Sequence, residues 1–279
     1  MANDVEKLIS DEEFLRYTSG ESLWGNDFDL ESIVRWYADE EEGYAELIGA
    51  ERAEYHYEFH ALNRIHGYDR IEIGTSLRVL GFGSAYGHEL LPIENRIRHA
   101  TVIDPSAVFT KNTVLTVPHI YIKPEVTGKL PFLDDEFDLI TCFGALHHVP
   151  NVEFVLSEMC RCLRARGHLL VREPCVSLGD WRRPRQGLTL RERGIPVSFM
   201  RRVIREHGLI TISENPCWVP PVVALGRSLG IEPFDSAWLT RLDALVANLT
   251  VWRARYHPRN KLDKIAPTSV FYCLRKDAA

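Results

Sequence analysis

The 279-residue chain is 45% hydrophobic and 26% charged, a composition that excludes disordered and fibrous proteins and suits one large domain with additions. A net charge of −6 argues against a general nucleic-acid binder. The six cysteines share no CxxC spacing, the N-terminus MANDVEKLISDEEF has no apolar signal core, and no run approaches the ~18 apolar residues of a membrane span; a cytoplasmic protein with reduced thiols, no membrane span and no metal is expected.

Residues 1–74 read as amphipathic helices forming an N-terminal cap. Trp24, Trp36, Tyr37, Leu47, Ile48, Tyr55, Phe59 and Leu62 are its expected buried positions, and Asp39-Glu40-Glu41-Glu42 is an expected solvated break. From Leu77 the pattern becomes short apolar strands alternating with helices. Residues 77–80 form a strand, and the loop Gly81-Phe82-Gly83-Ser84-Ala85-Tyr86-Gly87 opens a helix ending near Pro92. A second strand over 100–103 leads into Asp104-Pro105-Ser106, whose chemistry suits a loop and helix start. A third strand covers 119–122. After the acidic turn Asp134-Asp135-Glu136, a fourth runs over 137–143 and stops at Gly144-Ala145-Leu146-His147-His148. A helix over 152–163, ended by Arg166-Gly167, precedes a fifth strand over 168–172. Then come Glu173-Pro174, a helix over 197–207 and a sixth strand over 209–213. Two helical patterns, 222–229 and 238–255, lie in an insertion at about 216–266, and a last strand spans 269–274.

Alternation at this spacing implies right-handed crossovers and a sheet covered on both faces. The expected fold is α/β: a seven-stranded, doubly wound, mostly parallel sheet over residues 75–279, with the cap before it and the helical insertion between strands six and seven.

The glycine loop lets backbone approach a ligand closely, and a helix start behind it favours an anion. It matches neither GxGxxG nor GxxxxGK[ST], and a tight strand-to-helix turn is the plain alternative. Asp104 follows Gly81 by 23 residues, near the ~20 expected for an acid that holds ribose hydroxyls; the plain alternative is a helix cap. His147 and His148 stand at the carboxyl edge of the sheet, where open α/β folds bind ligands.

Taken together, RVLGFGSAYG, VIDPS, LPFLDDEFDLITCFGALHHVP and VEFVLSEMCRCLRARGHLLVREP resemble the class I S-adenosylmethionine (SAM)-dependent methyltransferases, in their small-molecule branch, over about residues 77–215. Residues 269–274 resemble the family's reversed last strand. The resemblance implies SAM as cofactor, giving S-adenosylhomocysteine. It places Gly81, Phe82, Gly83 and Ser84 along the methionine part, Asp104 and Pro105 at the ribose, and Phe143, Gly144 and Ala145 beneath the cofactor. The chain departs from the family at Val79, where an acid is common, at Ala85, which replaces a glycine, and after strand three. There Glu125 and Val126 only approximate the acid-Ala pair beside adenine.

Methyl transfer to a hydroxyl needs an aligned nucleophile and a base. His147, His148 and Glu173 are the candidate catalytic residues; adjacent loop residues diverge, so one histidine is expected to face the acceptor, with His148 favoured. A run of arginines between Asp180 and His207 suits phosphate or carboxylate. Trp181, Arg182, Arg183 and Arg185 are the candidate substrate-binding residues, with solvated or ion-paired arginines and a buried Trp181 as the alternative. The expected activity is O-methylation of a sugar, nucleotide sugar or phosphorylated glycan by a monomer or homodimer. A polyketide or amine acceptor, or SAM binding without catalysis, remains open.

Overall fold

Seven segments rich in Val, Ile, Leu and Phe form strands: β1 (Leu77–Phe82), β2 (Ile97–Ile103), β3 (His119–Ile122), β4 (Phe137–Phe143), β5 (Leu163–Pro174), β6 (Leu209–Cys217) and β7 (Ser269–Lys276). The computed structural model describes residues 9–51, 56–106, 109, 113–181, 183, 185, 188–258, 260 and 262–278, with backbone alone over 41–51. The strands make one sheet in the order β3-β2-β1-β4-β5-β7-β6. The first five strands are parallel, and β7 runs antiparallel to both β5 and β6. This is the class I methyltransferase type of sheet. Strand order reverses between β1 and β4, and crossovers leave those two strands in opposite directions, opening a crevice at their carboxyl ends.

Both faces of the sheet are covered, so the central strands carry apolar side chains at consecutive positions. Leu80, Ile140, Leu169 and Val171 face Val155 and Met159 of α4 (Val152–Cys162) and Phe199 and Val203 of α5 (Val197–Glu206). Their neighbours Val79, Leu139 and Leu170 face the other way, onto Leu62 of α3 (His60–His66) and onto Leu90 and Ile93. The N-terminal part adds α1 (Asp11–Thr18) and α2 (Leu30–Glu51). A capping box starts α1: Ser10 Oγ accepts from the Glu13 N–H, and the Glu13 carboxylate accepts from the Ser10 N–H. The insertion contains α6 (Pro220–Ser228) and α7 (Ala237–Thr250).

Four expectations need correction. The glycine loop leads into a 3₁₀ helix, His88–Arg96, and not into an α-helix ending at Pro92. Proline has no N–H and its ring crowds the preceding turn, which disfavours an α-helix there. Helix α4 stops at Cys162, and β5 starts at Leu163. A left-handed Arg166 (φ 63°) bends this strand out of register before it re-pairs with β4 at His168. Strands β2, β6 and β7 are longer than expected. Finally, Asp39-Glu40-Glu41-Glu42 lies inside α2 and is no break. Of the expected buried positions, Trp24, Trp36 and Leu62 are buried, while Tyr37 and Phe59 are half-buried. Tyr55 and the side chains of Leu47 and Ile48 lie outside the described residues.

Candidate active site

The first half of the site is built by the turns after β1 and β2. Gly83 takes φ 67° and donates its N–H to the Ile103 carbonyl at 2.7 Å, tying the glycine loop to β2. A Cβ at Gly83 would collide with the Ala145 side chain, so the loops after β1 and β4 meet in a contact only glycine permits. Asp104 leaves the end of β2 with its carboxylate accepting from the N–H groups of Ala85 and Ser106, each at 3.0 Å. Burial raises this carboxyl to about 6 against the pull of those two donors.

Beside these turns lies a largely apolar cavity, walled by Gly83, Pro105, Val126, Gly144 and Ala145, with Tyr37 and Glu40 of α2 on one side. Phe82 and Glu125 also border it, whereas Gly81, Ser84 and Asp104 do not line it. A second cavity opens on the far side of Gly144. It is lined by Phe59, Phe143, Trp218, His147, Arg172 and Glu192, with Glu173 and Arg185 also on its edge. Gly144, at φ 74°, borders both spaces.

Glu173 organises the loop between β4 and α4. It sits at the end of β5, 2% exposed. One oxygen accepts from the N–H groups of Ala145 (2.9 Å) and Leu146 (2.8 Å), and the other from His147 Nδ1 at 2.8 Å. Desolvation pushes its carboxyl up. The imidazole and the two N–H donors more than offset that and hold it below the ordinary carboxylate range. An ionised carboxylate can only accept, so His147 donates from Nδ1, and its Nε2 lies 3.7 Å from a Glu192 carboxylate oxygen.

His148 is anchored from the other direction. Its Nδ1 donates to Glu40 at 2.7 Å, and Glu40 also accepts from the Thr189 hydroxyl (2.7 Å) and the Arg191 N–H (2.8 Å). Burial pulls the imidazole down, but Glu40 outweighs it and raises the imidazole above its ordinary value. The two imidazoles lie against each other, ring centroids 4.1 Å apart, yet they meet different carboxylates and different spaces: His147 lines the second cavity and His148 the first. Among the described residues His147, His148 and Glu192 can each offer a ligand atom, and these atoms lie within 4.8 Å of one another. Sequence alone brought no metal site into view, because Glu192 lies 44 residues beyond His148.

Trp181 is fully buried among Trp24, Phe14 and Tyr256, stacked on Trp24 at 5.4 Å, and does not reach either cavity. The aromatic side chains that do line the second cavity are Phe59, Phe143 and Trp218, with the Arg172 guanidinium over the Phe59 ring at 4.1 Å. The arginine run also disperses. Arg191 pairs with Asp39, Arg201 with Glu214, and Arg202 with Glu153 and Glu206. Arg193 is buried and donates to the carbonyls of Trp24, His147, Val149 and Pro150, so its planar fork fixes the histidine loop. Arg185 reaches the second cavity, Arg183 is exposed, and Arg182 lies outside the described residues. Sequence reasoning missed Glu40, Glu192 and Arg193. The acidic run and the segment RERG held them in plain view, but only tertiary structure pairs them with the histidines.

A crevice at the reversal of an open α/β sheet, floored by a glycine loop and edged by a carboxylate at the end of β2, defines a nucleoside-type ligand site. Residues 80–171 match the family described as "Methyltransferase domain". An uncharacterized methyltransferase of Bacillus subtilis, YcgJ, is 30% identical over 103 residues, a match spanning 34% of this chain and 39% of that relative's length. The solved structure of an S-adenosylmethionine-dependent methyltransferase from Mesorhizobium loti superposes with a TM-score of 0.51 at 15% identity, over 75% of this chain and 95% of the other; this likeness concerns the fold. Residues 80–171 thus match a methyltransferase domain, and the fold around them is of the class I S-adenosylmethionine-dependent type. The methyltransferase match implies SAM, and the residues present fit it: a glycine where a side chain would close the contact, and a carboxylate at the β2 end beside an apolar cavity that Gly83 and Pro105 line.

Proposed function

We propose that this protein methylates a hydroxyl oxygen of a saccharide (a sugar, nucleotide sugar or glycan) using SAM. The observation that carries the reading is the shared wall. Gly144 borders both cavities, and His147, braced by Glu173, stands in the second. In the first cavity, Gly83, Ala145 and Pro105 would hold the cofactor and Asp104 its ribose. When bound, SAM supplies a methyl group activated by its sulfonium.

The chain's own residues supply position and proton transfer. Glycine at 144 keeps the wall shared by the two cavities free of side-chain bulk. His147, with Nδ1–H held by Glu173, takes the hydroxyl proton at Nε2 as the oxygen attacks; general-base catalysis of this kind contributes roughly 10²–10⁴-fold. Glu173 orients the ring and stabilises the imidazolium. Arg193 and Trp36, which donate to the carbonyls of His147 and His148, keep the loop from moving.

A saccharide fits the second cavity because flat aromatic faces (Phe59, Trp218) alternate there with polar groups (Arg172, Glu192, Ser177, Ser269). Arg172 and Arg185, which donate to Asn63 and to backbone carbonyls, favour an acceptor carrying phosphate. Helix α2 and the start of the insertion act as the lid that excludes water.

Calorimetry with SAM and S-adenosylhomocysteine, followed by separate His147→Ala and His148→Ala variants, tests the reading. Both variants should bind SAM, and His147→Ala should lose turnover by 10²-fold or more. Equal turnover by both variants would remove the base from His147. No binding of either nucleoside would remove the methyltransferase reading altogether.

A further inference from the structure

Helix α7 carries a second surface, away from both cavities. One side of the helix is buried: Leu239, Asp243 and Ala247 pack inward, and Asp243 accepts the N–H groups of Trp218 and Val219. The opposite side is apolar and open to solvent. Trp238 is 50% exposed, Leu245 59%, Leu249 65% and Trp252, just past the helix end, 68%. The helical positions 238, 245 and 249 recur at the spacing that keeps side chains on one face. The Trp252 indole folds back to donate to the Leu249 carbonyl, which extends the stripe past the helix end. Isolated exposed leucines need no explanation, but a row of large apolar side chains bracketed by two tryptophans marks an interaction surface.

The charges around this stripe identify what it meets. Between residues 237 and 256 the charged residues are Arg241, Arg253, Arg255 and the buried Asp243. Arg241 and Arg255 are exposed and Arg253 is half-buried, so the charges exposed on the helix and the turn after it are basic, although the chain as a whole carries −6 and the exposed Glu232 and Asp235 precede the helix. A second copy of the chain presenting the same helix face would set these guanidiniums against guanidiniums, since an isologous contact pairs a patch with itself. An anionic lipid surface complements both features. Tryptophan and leucine enter the boundary between headgroups and acyl chains, and arginines meet the phosphates.

We propose that the α7 stripe docks the protein peripherally onto an anionic lipid surface. The arrangement needs no membrane-spanning helix, and none of the described helices is long and apolar enough to be one. It stands apart from the methyl-transfer site, so either can fail without the other.

The test is co-sedimentation of the full chain with vesicles of phosphatidylcholine alone and with vesicles containing phosphatidylglycerol, alongside tryptophan fluorescence. The chain should bind the phosphatidylglycerol vesicles, shift its emission to the blue, and release as salt rises through the range that screens surface charge. Leu245→Glu with Leu249→Glu should weaken binding at least tenfold, since each leucine contributes roughly that factor when removed from water. Arg241→Glu should weaken binding to phosphatidylglycerol vesicles and leave the melting temperature unchanged. All three positions are exposed, and an unchanged melting temperature and SAM affinity will show that the variants are folded. Absence of binding to phosphatidylglycerol vesicles, or equal binding by the double variant, would overturn the proposal. So would a wild-type dimer in light scattering that the double variant converts to monomer, because a second copy would then cover the stripe.

Discussion

Replacing Glu173 by Gln tests whether this buried carboxylate both builds the histidine loop and sets the His147 tautomer. In the native protein it accepts from Ala145 N, Leu146 N and His147 Nδ1 at 2.8–2.9 Å, with His147 N further off at 3.3 Å. A glutamine oxygen can keep the first two donors, but as a neutral acceptor. Its amide nitrogen must then face two N–H groups of His147. Hydrogen bonds to a charged partner contribute ~1.5–3 kcal/mol each and neutral ones ~0.5–1.5 kcal/mol. Losing one charged bond outright and weakening two others costs about 3–5 kcal/mol, within the range for breaking a buried pair. Relief from desolvating the carboxylate lowers that cost, so about 3 kcal/mol is the expected loss. Urea unfolding at pH 7 should show a lower midpoint with an unchanged slope. The sign with pH follows from the depressed carboxyl. Its stabilisation is fully present above the unfolded value of about 4.3 and is lost as pH falls through the lower folded value, so wild type and variant should converge in acid. A loss below about 1 kcal/mol at pH 7, or a gap that widens in acid, would refute this view of Glu173.

Other perturbations separate the parts of the site. Gly83→Ala should weaken SAM binding by more than tenfold, because the left-handed backbone costs about 1–2 kcal/mol and the new methyl displaces Ala145; calorimetry reads it. Asp104 must be ionised to accept a diol, and burial holds its carboxyl at about 6. SAM affinity should therefore rise between pH 5 and pH 7, and Asp104→Asn should flatten that rise. Trp181→Ala should cost about 3–5 kcal/mol of stability as a core truncation, measured by denaturant, and a variant folded at low temperature should keep its SAM affinity. With His147 acting as a base, calorimetric titration with Zn²⁺ or Mn²⁺ should show no stoichiometric site; one tight equivalent lost in Glu192→Gln would turn His147 and His148 into ligands.

The sheet was legible because burial on both faces writes each central strand as an apolar run, and turn residues punctuate the runs. The positions of Asp104 and the glycine loop at the ends of β2 and β1 were legible for a related reason: each follows the apolar run of its strand. What escaped depends on contacts distant in sequence. Glu40 looks like part of a solvated acidic run, and only the packing of α2 beside the histidine loop buries it on His148. Trp181 and Arg193 carry side chains that suit ligands equally well, yet the N-terminal aromatic cluster takes one and the loop carbonyls the other. The helix expected after Gly87 gave way to 3₁₀ geometry because Pro92 outweighs the apolar periodicity around it. His148 is favoured over His147 from sequence and His147 in the proposed function; which carboxylate each ring meets, on which that proposal rests, has no local signature.

The most direct measurement of methyl transfer is the mass of products formed when the protein is incubated with SAM and a panel of nucleotide sugars and glycans. A saccharide that gains one methyl group, with S-adenosylhomocysteine released in equal amount and the reaction lost in His147→Ala, is the expected result. Binding of SAM without methylation of any saccharide, or methylation confined to an amine or an aromatic acceptor, would contradict the proposed function.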